Sequence, residues 1–548
     1  MTQPNDVPFD FETIPQLLAR SVERFGDDHA IEDGNITLTF KQLQSAAHEA
    51  TRALMACGIE KGDRVAIWAP NVWEWVVAAL GIHGAGGVLV PINTRFKGTE
   101  ASYVLSKSGA KVLFTVQGFL GNDYVDLLRG AVCGTEDDNP VSGLPTLERI
   151  IMLRGDTPEG TIPWAEFVAL HDMVDEESGL ERAQSVGSGD LSDILFTSGT
   201  TGSPKGVMTS HGQNLKAFYA WTDVIGLQPG DRYLIVNPFF HAFGYKAGWL
   251  SSIMRGVTIV PHPVFDANQV LKRIGEERIT MLPGPPSLFQ TILANPDLKK
   301  HDLSTLRLCV TGAASIPVDL ILSMREDLNF DTIITGYGLT EACGIATMCR
   351  YDDDPETIAQ TSGRAIPDVE VVIVDADGKE VPRGEPGELV VRGYNVMQGY
   401  FDDDGQTKET IDSDGWLHTG DIAVMNERGY IRITDRKKDM YIMGGFNCYP
   451  AEIESLLLKQ GALMQTAVVG VPDERMGEVG MAFCVLKEGQ DVSKDDLHAW
   501  CRDNMANYKV PRYITFVDAL PLNATGKVQK FKLRDGASAL LEESRVGA

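Results

Sequence analysis

Up to position 369 the chain alternates short apolar runs with helical runs at close spacing, a rhythm that few folds accommodate. Residues 65–68, 88–91 and 111–116 read as strands, with helices over 72–80 and 99–106 between them. After an apolar run at 192–196 the alternation resumes. Residues 233–236, 257–260, 279–282, 306–310 and 332–334 are expected strands, and 268–277, 286–293 and 318–328 are expected helices. Strand and helix in turn imply parallel sheets covered on both faces by helices, an α/β architecture. Residues 134–189, richer in acidic residues, glycine and proline, are expected to run over the surface. From 369 the texture changes. Strands at 370–375, 387–392 and 429–434, separated by turns such as Asp377-Gly378 and Arg428-Gly429, predict a small antiparallel, β-barrel-like subdomain over about 369–434. Beyond the charged run Arg436-Lys437-Lys438-Asp439 comes an α+β segment, with helices at 450–459 and 494–505 and strands at 467–471 and 482–486. The expected division is a large N-terminal domain, 1–437, and a small C-terminal domain, 438–548.

Length and charge narrow the function classes. A chain of 548 residues exceeds what one core fills. A net charge of −27 repels nucleic acid and anionic membranes, so an anionic ligand has to be met by local basic groups. The first residues lack the basic and apolar segments of a signal peptide, and the apolar stretch 72–90 is interrupted by His83, Gly84, Gly86 and Gly87. Eight cysteines are scattered without a Cys-x-x-Cys, which argues against zinc or a disulfide framework and suits a reducing cytoplasm. Cys343 and Cys349 read as small buried hydrophobes.

Three stretches carry chemistry. Thr197-Ser198-Gly199-Thr200-Thr201-Gly202-Ser203-Pro204-Lys205-Gly206 sets glycines, hydroxyls and a lysine directly after a strand. Glycine lets backbone amides turn toward an anion, hydroxyls add donors, and Lys205 adds a mobile charge. No Gly-Lys-Ser/Thr opens a following helix, so this is a phosphate cradle other than a Walker loop. Gly336-Tyr337-Gly338-Leu339-Thr340-Glu341 follows a strand, at the sheet end where open α/β folds bind ligands. Its tyrosine suits stacking on a base, and its Thr/Glu pair suits magnesium bridging phosphates. Thr419-Gly420-Asp421 offers a carboxylate that can accept two ribose hydroxyls.

Together with Asp435-Arg436-Lys437-Lys438-Asp439, Gly444-Gly445 and Pro521-Leu522-Asn523-Ala524-Thr525-Gly526-Lys527, these stretches resemble the adenylate-forming superfamily of acyl-CoA synthetases, peptide-synthetase adenylation domains and luciferases. The resemblance runs over nearly the whole chain, from Leu38-Thr39-Phe40 to Lys527. It implies a two-step reaction. ATP and a carboxylate give an acyl-adenylate and pyrophosphate, and a thiol then displaces AMP. Thr197, Ser198, Gly199, Thr200, Thr201, Gly202 and Lys205 would hold the leaving pyrophosphate. Gly336, Tyr337, Gly338, Leu339 and Thr340 would seat the adenine, with Tyr337 stacked on it. Asp421 and Arg436 would bind the ribose, and Thr197 and Glu341 would ligate Mg2+. Lys527 would bridge carboxylate and α-phosphate, an electrostatic role. Lys438 falls at the hinge about which a mobile C-terminal domain swings, where many bacterial members carry aspartate. That swing would bring Gly444, Gly445 and Phe446 to the site as a tunnel for the pantetheine arm of coenzyme A.

Pro238-Phe239-Phe240-His241-Ala242-Phe243-Gly244-Tyr245-Lys246 resembles the aromatic gate of this superfamily, with His241 at the carboxylate end of the acyl pocket. Phe243, Gly312, Ala313, Ala314 and Gly344 would complete small apolar walls, which imply a bulky acid rather than acetate. The same stretch, with Met440-Tyr441-Ile442-Met443-Gly444-Gly445-Phe446-Asn447, resembles a subgroup that activates the indane-propanoate left by bacterial steroid degradation. Lys246 reads either as a donor to a ring ketone or as a lysine reaching the surface. The alternatives are a medium- or long-chain fatty-acid CoA ligase, an enzyme loading a carrier protein, a luciferase-like oxygenase and a non-catalytic relative. Free CoA is favoured because no carrier domain follows Lys527 here. Small molecules are the expected partners, with no nucleic acid or integral membrane contact, and the resemblance tilts toward a homodimer.

Overall fold

The computed structural model describes residues 7–132, 143–198, 204–312, 316–375, 377–436, 441–448, 450–521, 528, 530 and 532–537. The early strands build one sheet of eight, in the order Gly399–Tyr400, Pro204–Ser210, Leu191–Ser198, Val88–Pro91, Arg64–Trp68, Val112–Val116, Arg149–Arg154, Ile162–Pro163. Its centre is parallel, with Val65 beside Leu89 on one side and Val112 on the other. The helix Trp73–Gly84 is buried at every residue after Trp73. That explains its lack of a polar stripe: a helix covered on all sides has no face to give to water. The expected surface course of 134–189 does not hold throughout, because Arg149–Arg154 pairs in parallel with Val112–Val116 and buries Ile150, Ile151, Met152 and Leu153. Four adjacent apolar side chains bury about 2 kcal/mol each, enough to outweigh the polar composition around them.

A second layer joins two four-stranded sheets: Arg232–Ile235, Thr258–Pro261, His29–Asp33 and Ile36–Thr39, then Leu308–Gly312, Thr332–Tyr337, Thr347–Met348 and Arg364–Ala365. Residues 279–282, expected as a strand, supply only a link, with Met281 bridging Tyr233 and Leu308. Beside Leu308–Gly312 the hydrogen bonds run on, with the Leu282 and Gly284 amides donating to the Leu308 and Val310 carbonyls, whereas Pro283 and Pro285 between and after them have no N–H to offer. The β-rich part is a four-stranded antiparallel sheet of Val369–Val374, Pro386–Gly393, Leu417–Met425 and Ile431–Arg436. The smaller C-terminal unit folds Gly477–Leu486 between Leu463–Asp473 and Tyr441–Met443, and helices Pro450–Leu458 and Lys494–Asn504 flank the sheet. No helix among the described residues is long and apolar enough to cross a membrane.

Candidate active site

The phosphate stretch lies at the turn of a hairpin. Leu191–Ser198 and Pro204–Ser210 pair antiparallel, with Thr197 opposite Lys205 and Ser198 opposite Pro204. Gly199, Thr200, Thr201 and Gly202 lie outside the described residues, as do Ala313, Ala314, Lys438 and Lys527. Thr197 and Lys205 line a cavity of about 2170 Å³. The Lys205 ammonium donates to Gln406 Oε1 and stands 5.0 Å from the centre of the Tyr400 ring. Tyr400 in turn donates its hydroxyl to Glu341 Oε1 at 2.9 Å. Burial raises the Glu341 carboxyl above its ordinary value, against the Tyr400 hydrogen bond and the Lys205 charge. A carboxylate this poorly hydrated gains from a cation.

The nucleotide stretch forms the end of Thr332–Tyr337, where Gly336 lies beside Gly312 in parallel register. A β-carbon on Gly338 would stand 2.1 Å from the Gly344 carbonyl oxygen, so only glycine lets the two segments pass. Tyr337 donates its hydroxyl to Asp421 Oδ2 at 2.6 Å. Asp421 is buried in Leu417–Met425, and the backbone register sets it directly opposite Arg436. Beneath them Glu388 Oε1 accepts the Gly420 amide at 3.1 Å. Sequence reasoning passed over Glu388 and Tyr400, which also line the cavity. The first carries a signal, an acid directly before the apolar run Leu389-Val390-Val391, whereas Tyr400 has none beyond its neighbours.

The acyl gate begins with His241, which caps Ala242–Gly244 by accepting the Phe243 amide on Nδ1 at 3.3 Å. A neutral ring that accepts on Nδ1 carries its proton on Nε2. The ring is open to the cavity yet walled by protein, and burial with the Lys246 charge keeps its pKa below the ordinary histidine value. Phe243, Gly312 and Gly344 also line the cavity. Lys246 is a correction. It sits in the π-helical turn Tyr245–Leu250 and is fully buried, so it does not reach the surface. Its ammonium lies 3.0 Å from Asp193 Oδ1 and donates to Thr209 Oγ1 at 3.0 Å, and Ala247 rather than Lys246 contributes to the cavity wall. The Asp193 carboxylate sits in the strand that carries Thr197, where it also accepts Ser192 Oγ at 2.8 Å, Thr209 Oγ1 at 2.8 Å and Asn214 Nδ2 at 2.6 Å. Cys343 is buried with its thiol pushed up to about 12, which fits a packing role and no nucleophile.

The C-terminal unit closes one side. Tyr441–Met443 and Phe446–Cys448 form a hairpin through Gly444 and Gly445, whose φ values of 56° and 85° need glycine. Both glycines and Phe446 line the same cavity, with Pro285 against Gly445.

Residues 18–401 match the model of the AMP-binding enzyme family, and 452–527 match its C-terminal domain. The chain belongs to the AMP-binding enzyme family. A family member from Rhodococcus jostii (strain RHA1), 3-[(3aS,4S,7aS)-7a-methyl-1,5-dioxo-octahydro-1H-inden-4-yl]propanoyl:CoA ligase, is 48% identical over 95% of this chain and 98% of its own. The protein of the same name from Mycobacterium tuberculosis (strain ATCC 25618 / H37Rv) is 46% identical over 96% of this chain and 99% of its own. Among solved family structures, o-succinylbenzoate CoA synthetase of Bacillus subtilis bound to the product analogue OSB-NCoA superimposes with a TM-score of 0.77, at 26% identity over 95% of this chain and 98% of that one. The family fold and these full-length likenesses make the chain an AMP-forming acid–thiol ligase of the acyl-CoA synthetase type.

Proposed function

We propose that this ligase activates a bulky, fused-ring propanoate with ATP and passes the acyl group to the thiol of coenzyme A. The observation that carries the reading is one continuous cavity shared by the phosphate hairpin, the Tyr337–Asp421 pair, the His241 gate and the Gly444–Gly445 turn. A cavity of about 2170 Å³ exceeds the 300–1,000 Å³ usual for a single small ligand, as expected where nucleotide, acid and thiol meet. The full-length relatives named for an indane-type propanoate supply the substrate class.

In the first step the carboxylate oxygen attacks the α-phosphorus and pyrophosphate leaves. Thr197 and Lys205 hold that leaving group, with Ser198 and residues 199–202 completing the cradle. A carboxylate has several acceptor positions, so Asp421 takes ribose hydroxyls alongside its bond to Tyr337. Neutral His241 donates Nε2–H to the acid. A neutral donor orients the carboxylate without the ion pairing that would blunt its attack. Lys527 is proposed to bridge carboxylate and α-phosphate. Glu341 and Thr197 suit Mg2+, a hard cation that takes few protein oxygens and completes its shell from phosphate and water; when bound, it neutralises phosphate charge. In the second step the CoA sulfur, deprotonated, attacks the acyl carbon and AMP departs. Gly444, Gly445 and Phe446 admit the pantetheine arm.

A domain boundary between 437 and 438, a hinge at Lys438, a homodimeric assembly and a cytoplasmic site of action belong to the same proposal. Pyrophosphate release over a panel of acetate, octanoate, aryl acids and bicyclic propanoates, with the thioester identified by mass spectrometry, tests it. The bicyclic acid should lead in kcat/KM and give acyl-CoA. A preference for octanoate would point to a fatty-acid ligase, and transfer only to a phosphopantetheinyl carrier would point to a loading enzyme.

A further inference from the structure

The Gly444–Gly445 turn belongs to the C-terminal sheet, yet it opens into a cavity built mostly by the N-terminal unit. Something must hold it there. A short segment at 505–511 makes the most conspicuous contact. Lys509 is 1% exposed, with its ammonium 2.7 Å from Glu100 Oε1 and 2.6 Å from Glu452 Oε1. Glu452 belongs to the C-terminal helix Pro450–Leu458, whereas Glu100 belongs to the N-terminal helix Gly98–Ser108. Glu100 is itself oriented, because its other oxygen accepts the Lys97 amide at 3.0 Å. The ammonium thus joins the two units, although Lys509 and Glu100 lie 409 positions apart in sequence.

The adjacent residue transmits this contact to the turn. Tyr508 stacks on Phe446, with ring centres 4.6 Å apart and planes 20° apart, and Phe446 immediately follows Gly445. The Tyr508 hydroxyl accepts Asn93 Nδ2 at 3.1 Å, and its carbonyl accepts the Cys448 thiol at 2.9 Å. From the N-terminal side, Arg95 lies over the Phe446 ring at 5.2 Å and the Phe96 ring lies 4.5 Å from the Lys509 ammonium. A buried ammonium holds only where its carboxylates are in place, because each partner left alone keeps the desolvation penalty without the attraction. Lys509 and Glu452 both belong to the C-terminal unit, so the attraction to Glu100 is the part of this charge cluster that acts between the units.

We propose that Lys509, through Glu100, is a positioning residue for the second half-reaction: it seats the Gly444–Gly445–Phe446 turn for thiol transfer and has no part in adenylation. Neither Lys509 nor Glu100 lines the cavity, so neither touches the reacting atoms. The inference rests on the two-step ligase reading above.

The test measures the two steps separately in the full chain. Adenylation is followed as pyrophosphate release without CoA, and transfer as single-turnover conversion of supplied acyl-adenylate with CoA. In Lys509→Met and Glu100→Gln, adenylation should stay within about twofold of the parent while transfer falls by about 100-fold and half-saturation by CoA rises. Lys509→Arg, which still reaches both carboxylates, should recover most of the transfer rate. Glu100→Gln keeps an oxygen for the Lys97 amide, so it separates loss of charge from loss of the helix cap. An equal fall in both steps in Glu100→Gln, or transfer within a few-fold of the parent, overturns the proposal. A parent enzyme that makes adenylate but no CoA thioester overturns the ligase reading itself, and the inference with it.

Discussion

Removing Asp193 should destabilise the protein more than removing its partner Lys246, although the two form one ion pair. Both side chains are 0% exposed and stand 3.0 Å apart. Without Asp193 the ammonium keeps, among the described residues, only the Thr209 hydroxyl as a short polar contact. A buried charge stripped of its counter-ion costs about 3–5 kcal/mol. Without Lys246 the carboxylate still accepts Ser192 Oγ, Thr209 Oγ1 and Asn214 Nδ2. Three donors compensate much of the lost charge, and a methionine at 246 refills the volume of the chain, so Lys246→Met should cost about 1–3 kcal/mol. The double variant Asp193→Ala/Lys246→Met should cost less than the sum, because neither group is then left charged and alone. The assay is urea unfolding of all four proteins without ligands, compared at the transition midpoint with the slope checked for constancy. If Lys246→Met proved as destabilising as Asp193→Ala, the three neutral donors would not be satisfying the carboxylate and the reasoning would fail.

Further predictions concern pH and the thiol step. Lys246→Met removes a positive neighbour of His241 while leaving burial in place, so the histidine should protonate at higher pH. The acid limb of kcat/KM for the acid substrate should therefore move up, and an unmoved limb would separate His241 from that substrate. His83 and His211, buried 5.3 Å apart, are held neutral down to about pH 3, primarily by burial. The unfolded chain takes up protons near pH 6.5, so stability is full above that value and falls as pH drops toward 3. Between pH 7 and pH 5 the loss should be about 2 kcal/mol per histidine, and a flat urea midpoint over that window would contradict it. Glu32, held at about 2 chiefly by its hydrogen bond to Arg232, keeps its stabilising contribution through this window and loses it only as pH falls further, toward 2. Gly445→Val forces a branched residue to φ near 85° at a strain of about 1–3 kcal/mol, and should slow acyl transfer while pyrophosphate release persists; equal slowing of both steps would remove the turn from the thiol path.

Local periodicity revealed the strands that periodicity governs. Residues 65–68, 88–91 and 112–116 are uniformly buried, and apolar but for Thr115, because both sheet faces are covered, and that signal is contained in the segment itself. The strand Leu417–Met425 is harder to read, since Thr419-Gly420-Asp421 inside it bulges, with Gly420 at φ 70°, and the strand on either side of the bulge is held by Pro386–Gly393 and Ile431–Arg436. The same limit governs the site. Glycine-rich and acidic stretches were legible as ligand-binding because their residue types suit no core. Their wiring was not, because Lys205 meets Gln406, Tyr400 meets Glu341 and Lys246 meets Asp193 only through the fold. Lys246 shows this best: a lysine among apolar neighbours implies a partner, but nothing near it in sequence names the aspartate 53 positions earlier.

One chamber for three reactants has a cost in timing. In the proposed cycle an acyl-adenylate, a mixed anhydride that water can hydrolyse, waits in the same space through which the thiol must arrive. In that cycle the space that receives the thiol also holds the anhydride, so fidelity rests on which nucleophile reaches it first. The wasted ATP per thioester made, measured as AMP released without acyl-CoA, is then a direct reading of how well the chamber is sealed around its wait.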